Sequence, residues 1–274
     1  MQCSQFRMSG VENMKQKIKR FIYREVKKRA MHFTLLDPDI SKINSINEKA
    51  KSSANAEKVL HRKIKMLEQL GTDAILFGGS SHVNQKCLEK TVMQIKRDCS
   101  LPVILFPGGL SGISAHADAI FFMSLLNSED AYWITEVQAR ASPLIKKAGI
   151  EAISMGYIVI EPGMKVGEVG RANLIKRNEI NKAVNYSLAA QYLGMSMVYL
   201  EAGSGADKPV PVEMIKEVKK NIEAPLIVGG GIRTPEQALE IVRAGADIVN
   251  TGNITEENFE SIKDIIEAVK GYKK

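Results

Sequence analysis

Short apolar runs recur along the chain, each bounded by polar or glycine-containing sequence. They are MHFTLLD at 31–37, DAILF at 73–77, PVILF at 102–106, ADAIFFM at 117–123, AISMGYIVI at 152–160, SMVYLE at 196–201, APLIV at 224–228 and ADIVN at 246–250. Each has the length of a buried strand. Between most of them lie amphipathic stretches such as HRKIKMLEQLG, INKAVNYSLAAQYLG and TPEQALEIVRAG, long enough to carry the chain back across a sheet as helices. Several of these close on a glycine, at Gly71, Gly149, Gly194 and Gly245, where a helix C-terminus favours a residue that tolerates positive φ. Eight strands alternating with helices predict an α/β fold, a closed (β/α)8 TIM barrel, with an open doubly wound sheet as the other arrangement of the same units. One domain over residues 1–274 is expected, because a barrel of this kind takes about 250 residues.

Two segments break the rhythm. Residues 38–57 (PDISKINSINEKAKSSANAE) form a long polar connection after the first strand, where active-site lids are found. Only GGLSGISAHA separates the third and fourth strands. That stretch is too short and too rich in glycine for a crossover helix, so the third barrel helix is expected to be missing or replaced.

Charge is concentrated at the N-terminus. Residues 1–29 carry nine Lys or Arg and two Glu, and this surplus of seven is the surplus of the whole chain. Met14, Ile18, Phe21, Ile22 and Val26 recur at helical spacing among Lys15, Lys17, Lys19, Arg20, Arg24, Lys27 and Lys28, the pattern of a basic amphipathic helix. Such a helix has two placements, which do not exclude each other: it closes the N-terminal end of a barrel, or it rests on an anionic membrane surface. No RNA-binding aromatic motif accompanies the charge, so nucleic acid is not an expected partner. No apolar run reaches the roughly 20 residues of a bilayer span, and the N-terminus has no signal-type apolar core. The expected location is therefore cytoplasmic, with peripheral membrane contact at most. Cys3, Cys87 and Cys99 are odd in number and lack metal-type spacing, which reads as ordinary thiols.

In this architecture chemistry gathers at the C-terminal ends of the strands. Those ends are dominated by glycine: Gly78-Gly79-Ser80, Pro107-Gly108-Gly109, Glu161-Pro162-Gly163, Tyr199 to Gly205 (YLEAGSG), Gly229-Gly230-Gly231 and Thr251-Gly252-Asn253. Without a Cβ, backbone N–H groups can approach an anion closely, so the turns after strands seven and eight predict a phosphate site. Asp37 and Asp39 flank a proline at the mouth of strand one, where a carboxylate either caps the next helix or, with Ser80 from the neighbouring strand, suits a hard cation such as Mg²⁺. Glu201 reads as an acceptor for substrate hydroxyls or a base, or alternatively as half of an ion pair. His32, His61, His82 and His116 show no ligand spacing and read as structural. No Ser-His-Asp arrangement or nucleophile elbow is present, which disfavours acyl transfer.

Taken together, HFTLLDPD, ILFGGSSHV, LPVILFPGG, FFMSLLNSEDAYWI, YIVIEPGMKVGEVGRA, VYLEAGSGADKPVP, LIVGGGIRTPEQA and ADIVNTGN resemble the geranylgeranylglyceryl phosphate synthase family, specifically the second of its two groups, over most of residues 31–253. The resemblance implies a Mg²⁺-dependent prenyltransferase of membrane-lipid synthesis. Such an enzyme moves a geranylgeranyl group from its diphosphate to the C3 hydroxyl of sn-glycerol 1-phosphate and forms the first ether bond. By position it implies Asp37 and Ser80 as metal ligands. It implies Tyr199, Leu200, Glu201, Ala202, Gly203, Ser204 and Gly205 as binders of the glycerol phosphate, and Gly230, Gly231, Gly252 and Asn253 as the phosphate cradle. Glu201 and Asp37 carry the catalytic expectation. A homo-oligomer, dimer or hexamer, is also implied. One position departs from the pattern, since Leu35 stands where some relatives carry lysine. Lys165 and Arg171 are candidate partners of the diphosphate, and Phe121, Phe122, Tyr132, Trp133 and Tyr157 are candidate walls for the prenyl chain. The alternatives are a phosphosugar isomerase on the same barrel, a catalytically silent phosphate-binding barrel, and a synthase using a longer donor such as heptaprenyl diphosphate.

Overall fold

The computed structural model describes residues 16–37, 53–79, 84–252 and 259–272. Eight parallel strands close on themselves in sequence order. They are β1 (Met31–Leu36), β2 (Ala74–Gly79), β3 (Val103–Pro107), β4 (Ala119–Leu125), β5 (Glu151–Val159), β6 (Met197–Glu201), β7 (Leu226–Gly229) and β8 (Ile248–Thr251). The ring shuts where Met31 pairs with Ile248 and Thr34 with Thr251. Helices α2 (Ser53–Leu70), α3 (Gln85–Asp98), α4 (Val137–Ala148), α6 (Ile180–Tyr192), α7 (Val212–Asn221), α8 (Pro235–Arg243) and α9 (Phe259–Gly271) surround it, after an N-terminal α1 (Lys17–Glu25). A one-and-a-half-turn helix, α5 (Met164–Val169), follows β5. The barrel expectation therefore holds, and the open sheet does not.

Successive residues of each strand face alternately into the barrel and toward the helices. Met31, Phe33, Phe106, Phe121, Tyr157, Tyr199 and Ile227 belong to one inner cluster. The alternate positions, such as Leu200 and Val228, pack against the helices. Several strands run past their expected ends: β2 reaches Gly79, β3 reaches Pro107 and β4 reaches Leu125. Ladder pairing continues there, with Gly78 opposite Phe106 and Gly79 opposite Pro107. Gly78 holds φ +148°, and a Cβ on it would run into the Phe106 backbone, so only glycine permits this close pairing.

The connection between β3 and β4 is a single 3₁₀ turn, Leu110–Gly112, so the third barrel helix is replaced as its length predicted. The end of the long polar stretch after β1 is helical, since α2 begins at Ser53. Gly71, Gly149, Gly194 and Gly245 all have positive φ, as the helix C-termini require. Helix α8 starts with a reciprocal capping box between Thr234 and Gln237, with Pro235 at its first position.

A repeated device fastens the base of the barrel. The carboxylate of Asp73, at the entry to β2, accepts the His32 amide of β1 at 3.0 Å. Asp118 before β4 accepts the Val103 amide of β3 at 2.8 Å, and Asp247 before β8 accepts the Leu226 amide of β7 at 2.8 Å. Each aspartate also holds a cation: Arg29 at 2.7 Å, Lys96 at 2.7 Å and Lys219 at 2.6 Å respectively. An amide in the first two residues of a strand is thus satisfied by its neighbour's carboxylate rather than left unpaired. His32 is structural as expected. Its ring, fully buried, bridges Thr72 at 3.0 Å and Thr251 at 2.9 Å. Burial pushes its pKa down to about 3, so it is neutral.

Helix α1 packs its apolar stripe onto the inner cluster through Ile18, Ile22 and Val26. Glu151, the first residue of β5, accepts the amides of Ile18 and Lys19 at 2.8 Å each, and the Tyr23 hydroxyl donates to the Ser196 carbonyl at 2.6 Å. The closing role expected for this helix is what these contacts supply, and its cationic residues face outward. Ile22 is fully buried. Ile22→Ala should lower the unfolding free energy by about 2–5 kcal/mol, as truncating a buried aliphatic side chain does, measured by denaturant titration.

Candidate active site

Glu201 ends β6 on the inner face, above a layer of rings packed edge-on and tilted. Tyr157 and Tyr199 lie 5.0 Å apart between centroids, and Phe106 lies 5.8 Å and 5.7 Å from them. The carboxylate is 6% exposed. It accepts the Gly203 amide at 2.7 Å and the Tyr157 hydroxyl at 3.1 Å. Burial raises its pKa above the usual 4.5, against the pull of its hydrogen bonds. Both tyrosines are held well above their ordinary values, first by burial and then by the Glu201 charge. Glu201 is therefore not an ion-pair partner of a loop; its described neighbours are an amide and two phenols.

Two cavities share this residue. The smaller, about 40 Å³, lies between the ends of β6, β7 and β8, with Ser204, Gly205, Gly230, Gly231, Arg233, Asn250 and Gly252 in its wall. The larger, about 320 Å³, is mostly apolar. It runs from Asp37, Gly78 and Gly79 past Phe106 and Tyr157 to Trp133, and along Ile113, Ile120, Val137, Ala141 and Ile145. Those last residues line the flank where the third helix is absent. Leu35, Glu201, Ser204 and Gly252 border both cavities.

The glycines at the ends of β7 and β8 are required for different reasons. A Cβ on Gly229 would strike the Tyr199 hydroxyl, one on Gly230 the Glu201 carboxylate, and one on Gly231 the Lys208 carbonyl at 2.6 Å. Gly230 and Gly231 also have φ of +83° and +71°. Packing against the β6 loop therefore demands these three before any ligand is considered. Gly252 differs, because a Cβ there would sit in ordinary contact with Leu35 at 3.6 Å. What glycine provides at 252 is bare backbone in the wall of both cavities.

The other expected residues fall into distinct places. Tyr199 is closed off beneath the cavity and donates no surface to it. Leu200 and Ala202 turn to the helix side, and Gly203 gives its amide to Glu201. Asp37 stands in the wall of the larger cavity, where a Cβ on Gly79 would be 3.5 Å from its Oδ2. Ser80, Asp39 and Asn253 lie outside the described residues. Phe121, Phe122, Trp133 and Tyr157 line the larger cavity, whereas Tyr132 instead packs edge-on against Trp133 at 4.9 Å. Lys165 is in that wall, carried by α5. Arg171 is not in it, and its guanidinium faces Asp130 at 3.5 Å. Met164 and Arg171, one at each end of α5, both have φ +47°, a conformation rare outside glycine and common at functional segments.

Three residues of the site escaped the sequence reading: Leu35 as a wall common to both cavities, Asn250, and Arg233, whose Nη2 donates to the Gly205 carbonyl at 3.4 Å. Among the described residues no three His, Cys, Asp or Glu side chains cluster to cage a metal. A lone carboxylate at a cavity lip is the donor set of a magnesium ion completed by water and substrate phosphate, and Asp37 fits that requirement.

The PcrB family matches residues 23–270. The chain belongs to that family. Within it, this PcrB-family chain is 46% identical over 256 residues, 93% of its own length and 95% of the relative's, to a geranylgeranylglyceryl phosphate synthase of Pyrococcus horikoshii. It is 51% identical over 241 residues to the Thermococcus gammatolerans synthase, covering 88% and 90% of the two chains. A crystal structure of (S)-3-O-geranylgeranylglyceryl phosphate synthase from Thermoplasma acidophilum, in complex with sn-glycerol-1-phosphate, superposes with TM-score 0.84 at 39% identity, covering 93% of this chain and 99% of that one.

The raised pKa of Glu201 gives a stability test. A carboxyl raised on folding stabilises most below its unfolded value and loses that contribution as pH climbs through the folded one. The unfolding free energy of Glu201→Gln relative to the parent should therefore grow in the variant's favour as pH rises above 4.5, followed by urea titration across pH 4 to 8.

Proposed function

We propose that this chain is a geranylgeranylglyceryl phosphate synthase, a prenyltransferase that joins geranylgeranyl diphosphate to the C3 hydroxyl of sn-glycerol 1-phosphate. The observation that carries the reading is Glu201, a buried acceptor in the wall common to a small cavity lined by glycine backbone, Ser204, Arg233 and Asn250 and a larger, mostly apolar one. A transferase that unites a polyol phosphate with a hydrocarbon electrophile needs that adjacency. A phosphosugar isomerase has no use for an apolar cavity of about 320 Å³.

The glycerol phosphate occupies the small cavity. Its phosphate lies against Ser204, Gly205, Gly230, Gly231 and Gly252, with Arg233 supplying positive charge now that Leu35 fills the floor. Glu201 orients the C3 hydroxyl. The C1–O bond of the prenyl diphosphate breaks with its electron pair leaving on the diphosphate, the C3 oxygen bonds to C1, and the hydroxyl proton passes to Glu201. Holding both partners across one carboxylate removes much of the entropic barrier, and the apolar wall keeps water from the electrophile. Asp37, with Ser80, would hold Mg²⁺, which when bound neutralises charge developing on the diphosphate. Lys165 is the one cationic side chain among the described residues of the larger cavity's wall, and it serves the same departing group from the α5 side. Peripheral contact with an anionic membrane falls to the outward cations of α1.

Labelled glycerol 1-phosphate and geranylgeranyl diphosphate should yield solvent-extractable label with Mg²⁺ and none with EDTA; no extractable product under either condition would refute the assignment. Lys165→Met should raise KM for the prenyl diphosphate and weaken inhibition by inorganic pyrophosphate roughly tenfold or more, the scale of a charge-assisted hydrogen bond. KM for glycerol 1-phosphate should stay unchanged, and Lys165→Arg should restore most of the loss.

A further inference from the structure

One polar atom of the small cavity's wall has no role in the reaction as described. Asn250, on the inner face of β8 and 4% exposed, donates Nδ2 to the Tyr199 hydroxyl oxygen at 2.8 Å. With the nitrogen of that amide on Tyr199, its oxygen is turned the other way. Asn250 Oδ1 is buried and finds no hydrogen-bond donor among the described residues. Buried amide oxygens are almost always satisfied, so this one awaits a donor that enters the cavity with a ligand.

The chemistry of the ligand narrows the donor. A phosphate dianion has no proton to offer, and a hydrocarbon has none. On the transferase reading above, glycerol 1-phosphate brings two hydroxyls: C3, whose proton goes to Glu201, and C2. We propose that Asn250 is a specificity-determining residue, its Oδ1 accepting a hydrogen bond from the C2 hydroxyl of the acceptor while Glu201 engages C3. Tyr199 holds Asn250 in the wall it shares with Glu201, since its hydroxyl oxygen accepts the Asn250 amide. The pair thus reads two adjacent hydroxyls, and an acceptor lacking the second leaves a buried oxygen unpaired.

The test compares kcat/KM for glycerol 1-phosphate with that for 3-hydroxypropyl phosphate, the same three-carbon acceptor without the C2 hydroxyl, in the parent, Asn250→Ala and Asn250→Leu. The parent should prefer glycerol 1-phosphate about tenfold or more. Both variants should lose most of that preference, through a slower reaction with glycerol 1-phosphate rather than a faster one with the analogue. Asn250→Leu keeps the side-chain volume, which guards against a collapsed cavity. A parent that uses both acceptors equally overturns the inference, as does an equal loss on both acceptors in the variants, the signature of a phosphate contact or a packing role. A parent that prenylates neither acceptor refutes the transferase reading itself, and this inference with it.

Discussion

A carboxylate kept out of water at the end of β6 is the interaction on which the rest of the site depends. Charge at Glu201 is unfavourable where it stands, and two donors hold it there: the Gly203 amide and the Tyr157 hydroxyl. Each donor has its own support. Tyr157 packs edge-on against Phe106 and lies beside Tyr199, which Asn250 fixes, and Gly203 sits in a loop so closely packed that a Cβ on it would meet the Gly163 carbonyl at 2.7 Å. The three glycines after Val228 follow from the same crowding. The barrel mouth is thus built around one expensive group, an arrangement that accounts for most of its sequence peculiarities.

The base of the barrel solves the opposite problem. There the charges are plentiful and paired: Asp73, Asp118 and Asp247 each take a strand amide and a cation. The ends of the barrel therefore divide the labour, the lower end fixing register with satisfied ions and the upper end holding a buried carboxylate short of its preferred solvent. Helix α1 belongs to the lower end, where Ile18, Ile22 and Val26 cover the inner cluster.

Much of this was legible from residue order. Strand count, the missing third helix, the glycine C-caps and the closing helix all followed from local pattern, because each rests on spacing or on a residue with unusual backbone freedom. Asp37 and Glu201 were found because they terminate apolar runs, and Ser204 and Gly252 because they lie in the glycine-containing turns that follow such runs. Parity was the information lacking. Parallel strands buried on both sides, such as MHFTLL, show no alternation of apolar and polar positions, so the chain does not declare which residues look inward. Leu35 and Leu200 are indistinguishable as letters, yet one walls two cavities and the other faces a helix. Asn250 was hidden in the same way, read as the last letter of a strand until its pairing with Gly229 placed it beside Tyr199. Arg233 follows the glycine turn after β7 with nothing in its spacing to single it out.

The replacement of the third helix by the turn Leu110–Gly112 has a further meaning for the folded state. Among the described residues a helix follows every other strand; this flank, lined by Ile113, Ile120 and Ile145, has only that turn and borders the apolar cavity. In the proposed reaction an isoprenoid tail lies where that helix would have run. The substrate then does the work of a structural element, its hydrocarbon joining the core for one turnover and departing with the product.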